Sequence, residues 1–172
     1  MAVNSRRKGA AFERQIARDL RTFLHPDRTG QEWQITRAQT DRQRGQDGLT
    51  AGEFTIIGPG VFPWAIECKA GEAFREAQLW QVPTSGPVAQ SWWPQAVRQA
   101  ASVGLSPVLI VKRRNGPILA IAERKVWGRL LVTNPRHRFT LEAEGQRWDL
   151  EAVLWSAVMR CPPSEVFRES KR

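Results

Sequence analysis

The chain predicts a single α/β domain built on a central mixed β-sheet flanked by helices. Three observations lead there. Residues 7–24 place Phe12, Ile16, Leu20, Phe23 and Leu24 at helical spacing, one apolar stripe on a polar segment. The apolar runs EFTII, VFPWAIECKA, SPVLIVKRR and PILAIA are bounded by Gly, Pro and Asn turn signals, as strands are. A second helical pattern, SWWPQAVRQAASVG, lies between the second and third of those runs. The domain is expected to span residues 1–160, with 161–172 as a C-terminal tail.

Each element has a local reason. Asn4 or Ser5 can cap the first helix, and HPDRTG ends it with Pro26 and Gly30. Residues 31–52 are polar and rich in Arg, Gln, Thr and Gly; a short strand fits Trp33 to Arg37, and the remainder reads as a long loop carrying Arg37, Arg42 and Arg44. EFTII and VFPWAIECKA, joined by Gly-Pro-Gly, form a hairpin signal, and their lack of alternation means both faces are covered. Residues 73–90 are loop-rich. In the second helix Ser91 can cap, Pro94 sits in the first turn and Gly104 closes it. SPVLIVKRR and PILAIA pair through an Asn-Gly turn. A short helix over 123–131, a hairpin in HRFTLEAEGQRWDL and a final helix in LEAVLWSAVMR complete the chain.

Composition narrows the function classes. Of 172 residues, 26 are Lys or Arg and 17 are Asp or Glu, a net charge of +9. The isoelectric point of about 10.9 favours a polyanionic partner, most simply nucleic acid. No apolar run reaches transmembrane length, and the N-terminus has no apolar signal core, so a membrane role is not expected. Cys68 and Cys161 make neither a disulfide framework nor a zinc spacing, which fits a reducing cytoplasm. His25 and His137 stand alone, against a histidine-based metal site. Trp92 and Trp93 could stack on exposed bases or sit at a dimer interface, but helical spacing with Ala96, Val97 and Ala100 favours the core.

The chemistry concentrates in FPWAIECKAGE, residues 62–72. Residues i and i+2 of a strand share a face, so Glu67 and Lys69 project together and Cys68 points the other way. A surface ion pair of this kind would be worth little. At the end of an apolar, covered strand, charges without partners are expensive.

Gly9 and Glu13 in KGAAFERQIARDL, an acid at the head of a hairpin, and Glu67-x-Lys69 together resemble the PD-(D/E)XK nuclease superfamily. Within it they are most similar to archaeal-type Holliday-junction resolvases and related phage endonucleases. The resemblance runs through SPVLIVKRR, about two thirds of the chain. It implies a restriction-endonuclease-like fold. It also implies that the hairpin acid and Glu67 hold Mg²⁺, with Mn²⁺ as substitute, assisted by the carbonyl of Cys68 and by Glu13 directly or through water. Lys69 would orient the attacking water. Gln95 is similar to a helix glutamine found near such sites.

The usual Pro-Asp of the hairpin is missing, so two acids compete for its role: Glu53, beginning EFTII, and Asp47, in RGQDG. A chain with neither in place would be a catalytically dead relative. Arg6, Arg7, Lys8, Arg37, Arg42 and Arg44 are the phosphate-binding candidates. The resemblance implies cleavage of branched double-stranded DNA by a homodimer, in a prokaryotic cytoplasm or that of a phage-infected host cell. Other nucleases of the superfamily (recombination, packaging or restriction type) are the nearest alternative. A basic DNA-binding protein without catalysis is the alternative of a different class.

Overall fold

The computed structural model describes residues 2–37, 50–51, 53–70, 91–112, 116–127 and 137–167. Helix α1 (Ala2–Phe23) and the short α2 (Pro26–Thr29) precede strands β1 (Gln34–Arg37), β2 (Thr50–Ala51), β3 (Phe54–Ile57) and β4 (Trp64–Ala70). Helix α3 (Trp93–Ala101), β5 (Ser106–Lys112), β6 (Ile118–Glu123) and the one-turn α4 (Arg124–Trp127) follow. Strands β7 (His137–Ala143) and β8 (Gln146–Leu154) lead into α5 (Trp155–Arg160) and α6 (Pro163–Phe167).

Five strands form the central sheet in the order β4-β5-β6-β8-β7. β4 and β5 are parallel, with Glu67 opposite Leu109. The remaining pairs are antiparallel, so the sheet is mixed. A parallel pair needs a crossover, and α3 supplies it. Side-chain alternation then divides the core in two. Ile66, Cys68, Val108, Ile110, Ala120, Ala122 and Val153 face α1 and α5, where Phe12, Ile16, Leu20, Trp155 and Val158 are buried. Leu109, Val111, Leu119, Ile121 and Leu150 face the other way, against Trp93. Each large side chain buried in these layers contributes roughly 1.5–3 kcal/mol. Trp93, expected in the core from its spacing, is fully buried there.

Several local readings are corrected. α1 begins at Ala2, so Asn4 and Ser5 lie inside the helix and cannot be its caps. The cap position of α3 falls on Trp92, with no side-chain cap bond, while Pro94 occupies the first turn as expected and Gly104 adopts φ +69° after the end. EFTII and VFPWAIECKA do not form a ladder with each other. β3 is the central strand of a separate sheet, β1-β3-β2. Its Phe54 and Thr55 pair with β2 on one side and with β1 on the other, so no edge is left there for β4.

LEAVL continues β8 instead of opening the last helix. Leu150 and Ala152 pack on one face of the sheet and Val153 on the other, a period of two that the helix-forming residue types disguised. The segment expected as a tail contains α6, whose Val166 is buried in the main core together with Cys161. Lys112 donates to Gln15 Oε1 at 2.8 Å and lies over the Phe12 ring. Residues 73–90 lie outside the described residues.

An edge-on run of rings, Trp33–Phe62–Trp64–Trp127, ties the small sheet to the large one, with centroid separations of 6.5, 5.4 and 5.8 Å. Trp33 lies so close over Gly58 that a Cβ there would fall 2.2 Å from its ring. Gly58→Ala must therefore displace that ring, and is expected to cost about 1–3 kcal/mol of unfolding free energy. A urea titration of the full chain measures it.

Candidate active site

Strand β4 is an edge of the central sheet, buried through most of its length because α1 covers one face and α3 the other. On the α3 face stand Glu67 and Lys69, as strand parity requires. Glu67 is 1% exposed, and its Oε1 lies 2.7 Å from Lys69 Nζ. Gln95, in the first turns of α3, closes the group. Its Nε2 donates to Glu67 Oε1 at 3.1 Å, and its Oε1 accepts from Lys69 Nζ at 3.1 Å. One amide thus orients both the acid and the base.

The second oxygen, Glu67 Oε2, is buried and has no hydrogen-bond partner among the described residues. An orphaned buried acceptor is costly, on the order of 1–3 kcal/mol or more for a charged group. Glu151, the other buried acid among the described residues, differs: Arg138 Nε donates to its Oε1 at 2.7 Å and neither oxygen is orphaned. Glu151 has the signature of a structural ion pair, and Glu67 has that of a carboxylate with one oxygen left for a ligand.

The open edge of β4 brings in the next acid. The backbone N–H of Glu53 donates to the Ile66 carbonyl at 2.8 Å. Glu53 therefore sits against β4 one residue from Glu67, although it precedes β3 and is not part of a β3–β4 ladder. Backbone carbonyls two apart in a strand leave on the same side, so the Cys68 carbonyl points to that same edge. Asp47, the competing acid, lies outside the described residues.

On the α1 face, Glu13 is 17% exposed and pairs through Oε2 with Arg37 Nη2 at 2.5 Å. The Cys68 thiol lies on this side and reports the local charge. Burial first, then the negative charges of Glu53, Glu67 and Glu13, push its pKa well up, and Lys69 opposes them. These carboxylates come from α1, the β3 lead-in and β4, with Glu13 on the α1 face of the strand and Glu67 on the α3 face.

The set suits a hard divalent cation. Its donors are carboxylate and carbonyl oxygens, with Glu67 Oε2 uncommitted, and Mg²⁺ takes one or two protein carboxylates while keeping waters. No three His, Cys, Asp or Glu side chains among the described residues are close enough to cage an ion by themselves.

Among the expected site residues, Glu13, Glu53, Glu67, Lys69, Cys68 and Gln95 are brought to the β4 rim. Arg37 is also there, but its guanidinium grips Glu13. Arg6, Arg7 and Lys8 lie on the first turns of α1, and Arg42 and Arg44 lie outside the described residues. The pairing of Arg37 with Glu13 was missed: the two are far apart in sequence, and only the packing of β1 along α1 joins them.

The raised pKa of Cys68 has two measurable outcomes. The native thiol stays protonated near pH 8, so iodoacetamide followed by mass spectrometry should label it only after unfolding. Its proton is held more tightly in the folded chain than in the unfolded one. Its contribution to stability is therefore complete below the ordinary thiol pKa and falls as pH rises above it.

Among the described residues no helix is long and apolar enough to cross a membrane. No curated protein and no solved structure matches the chain. The profile of the family described as "Phage putative PDDEXK endonuclease" matches residues 4–167, so the match extends well past SPVLIVKRR into α6. With the mixed five-stranded sheet and the Glu67–Lys69 pair on its edge strand, the chain belongs to this PDDEXK endonuclease family.

Proposed function

We propose that this endonuclease hydrolyses phosphodiester bonds of branched DNA, four-way junctions foremost, with Mg²⁺ as cofactor. The observation that carries the metal reading is Glu67: buried, oriented through one oxygen by Lys69 and Gln95, and with the other oxygen lacking a hydrogen-bond partner among the described residues. Glu67, Glu53 and the Cys68 carbonyl would hold the ion, with Glu13 contributing from α1. When bound, the ion would supply Lewis acidity toward the phosphate and lower the pKa of the attacking water.

The chain's own groups do the rest. Lys69, 23% exposed beside a fully buried acid, presents its ammonium to the open side of the site, where it can orient a water and offset charge building on phosphorus. Gln95 fixes the Lys69 ammonium through its Oε1 and the Glu67 carboxylate through its Nε2, so neither spends free energy reorienting when substrate arrives. The walls of α1 and α3 exclude water from the strand that carries both. The net charge of +9 favours the phosphate backbone in a manner independent of base sequence, which suits recognition by shape.

Paired cuts in two strands of a junction require two such sites, so a homodimer goes with this reading. A second reading, cleavage of linear duplex in phage recombination, packaging or restriction, is compatible with the family description, which names a phage endonuclease.

Purified protein incubated with a four-way junction, a linear duplex and single strands, with and without Mg²⁺, separates these readings. Symmetric nicks confined to the junction are the expected result. Cutting of the duplex supports the second reading, and binding without cutting in Mg²⁺ or Mn²⁺ overturns both. Glu67→Gln and Lys69→Ala are each expected to lower cleavage by about 100-fold or more while leaving junction binding intact. Glu53→Gln compared with Asp47→Asn identifies the hairpin ligand: the variant that abolishes metal-dependent cutting with retained folding marks it, and Glu53 is the expected one.

A further inference from the structure

The Arg37–Glu13 pair joins the end of β1 to α1 at a partly exposed place. Arg37 ends β1, and its Nη2 contacts Glu13 Oε2. Its side chain is 37% exposed, so the contact is reachable from solvent. Its Nε is buried and has no acceptor among the described residues. The guanidinium is a planar fork that binds a carboxylate or phosphate best through two parallel bonds. Glu13 takes an ion-pair contact through Nη2 and Nε is left without an acceptor, so the fork is incompletely used. A phosphodiester offers two non-bridging oxygens that could take both donors.

A purely structural role explains the pair less well. β1 is already anchored to α1 by the bond from Arg21 Nη2 to the Ile35 carbonyl at 2.8 Å and by the burial of Ile35. The position of the pair is also specific. Glu13 follows Phe12, which packs with Ile66 and Cys68 on the α1 face of β4, while Lys69 pairs with Glu67 on the same strand. Among the described residues Arg37 is thus the cation paired with the acid arriving from α1.

We infer that Arg37 is an exchange residue. In the DNA-free protein it holds Glu13; when DNA binds, its guanidinium transfers to a backbone phosphate and leaves the Glu13 carboxylate to the divalent cation. The inference rests on the nuclease reading and adds a coupling to it. Cation and Arg37 compete for Glu13, while Glu13 and DNA compete for Arg37. DNA and cation therefore bind with positive cooperativity, and linkage requires each to improve the other's affinity by the same factor. Arg37 is a positioning residue in this scheme, acting on the metal site through Glu13.

The test needs no turnover. Binding of a labelled four-way junction is followed by fluorescence anisotropy in EDTA across a range of salt, and Mn²⁺ binding to the DNA-free full chain by electron paramagnetic resonance. Glu13→Gln is expected to tighten junction binding about fivefold or more, and Arg37→Gln to tighten Mn²⁺ binding of the free protein by a similar factor. Arg37→Gln is expected to weaken junction binding and to make its log–log salt slope shallower by about 0.9. In the Arg37→Gln background, Glu13→Gln should give no further tightening for the junction. Arg37→Lys, which keeps the charge without the fork, should return Mn²⁺ affinity toward the wild-type value.

Equal tightening by Glu13→Gln in both backgrounds would overturn the exchange, as would unchanged Mn²⁺ affinity in Arg37→Gln. Unfolding of Arg37→Gln by circular dichroism would make the pair a structural tie and overturn it too. A wild-type chain that binds Mn²⁺ but no DNA of any form would overturn the nuclease reading itself, a result distinguishable from additive variants of a chain that does bind DNA.

Discussion

Everything at the β4 rim depends on keeping the Glu67 carboxylate inside the protein. A charge at 1% exposure is tolerated only where partners offset its lost hydration, and here one oxygen has two of them while the other has none among the described residues. Lys69 supplies the opposite charge and Gln95 supplies geometry. Both partners depend on larger elements. Lys69 is placed by strand parity, and Gln95 by a helix whose Trp93 and Ala96 are fixed in the core. The parallel crossover between β4 and β5 is what sets that helix against this strand. The fold class and the local chemistry are therefore one problem: a mixed sheet with a parallel edge pair puts a helix over the edge strand, and the helix secures the acid and base.

The acids arrive by three independent routes. Glu67 lies on the strand, Glu13 on a helix packed against one face, and Glu53 just before a strand of a second sheet. Among the described residues a backbone bond, from Glu53 N–H to the Ile66 carbonyl, joins the lead-in of that second sheet to β4 near the site. The aromatic run from Trp33 to Trp127 holds the two sheets in register farther back. Several of the chain's eight tryptophans thus serve architecture. That the chain has no tyrosine has no explanation in the packing.

Much of this was legible from residue order alone. The α1 stripe, the apolar runs of β4, β5 and β6, the α3 pattern with Pro94 and Gly104, and the shared face of Glu67 and Lys69 all follow from periodicities of 3.6 and 2. What failed were questions of pairing and boundary. Nothing in EFTII says that its edges are taken by β1 and β2, because edge occupancy is a property of distant segments. LEAVL is made of good helix formers, yet β6 and β7 on either side hold it extended. Val166 looked like part of a tail because one buried residue in a short helix makes no periodic signal. Arg37 was recognised as a cation in the right region, but its partner on α1 could not be read from local spacing.

Among the described residues β4 has a strand of the central sheet on one side only, and its other side offers backbone groups. Such an edge invites another chain to add a strand. The part-exposed Lys69 works against that docking, and the Glu53 N–H already takes the Ile66 carbonyl. Charge at this rim thus also works against edge-to-edge aggregation. Neutralising it removes a guard on solubility along with the proposed catalytic groups.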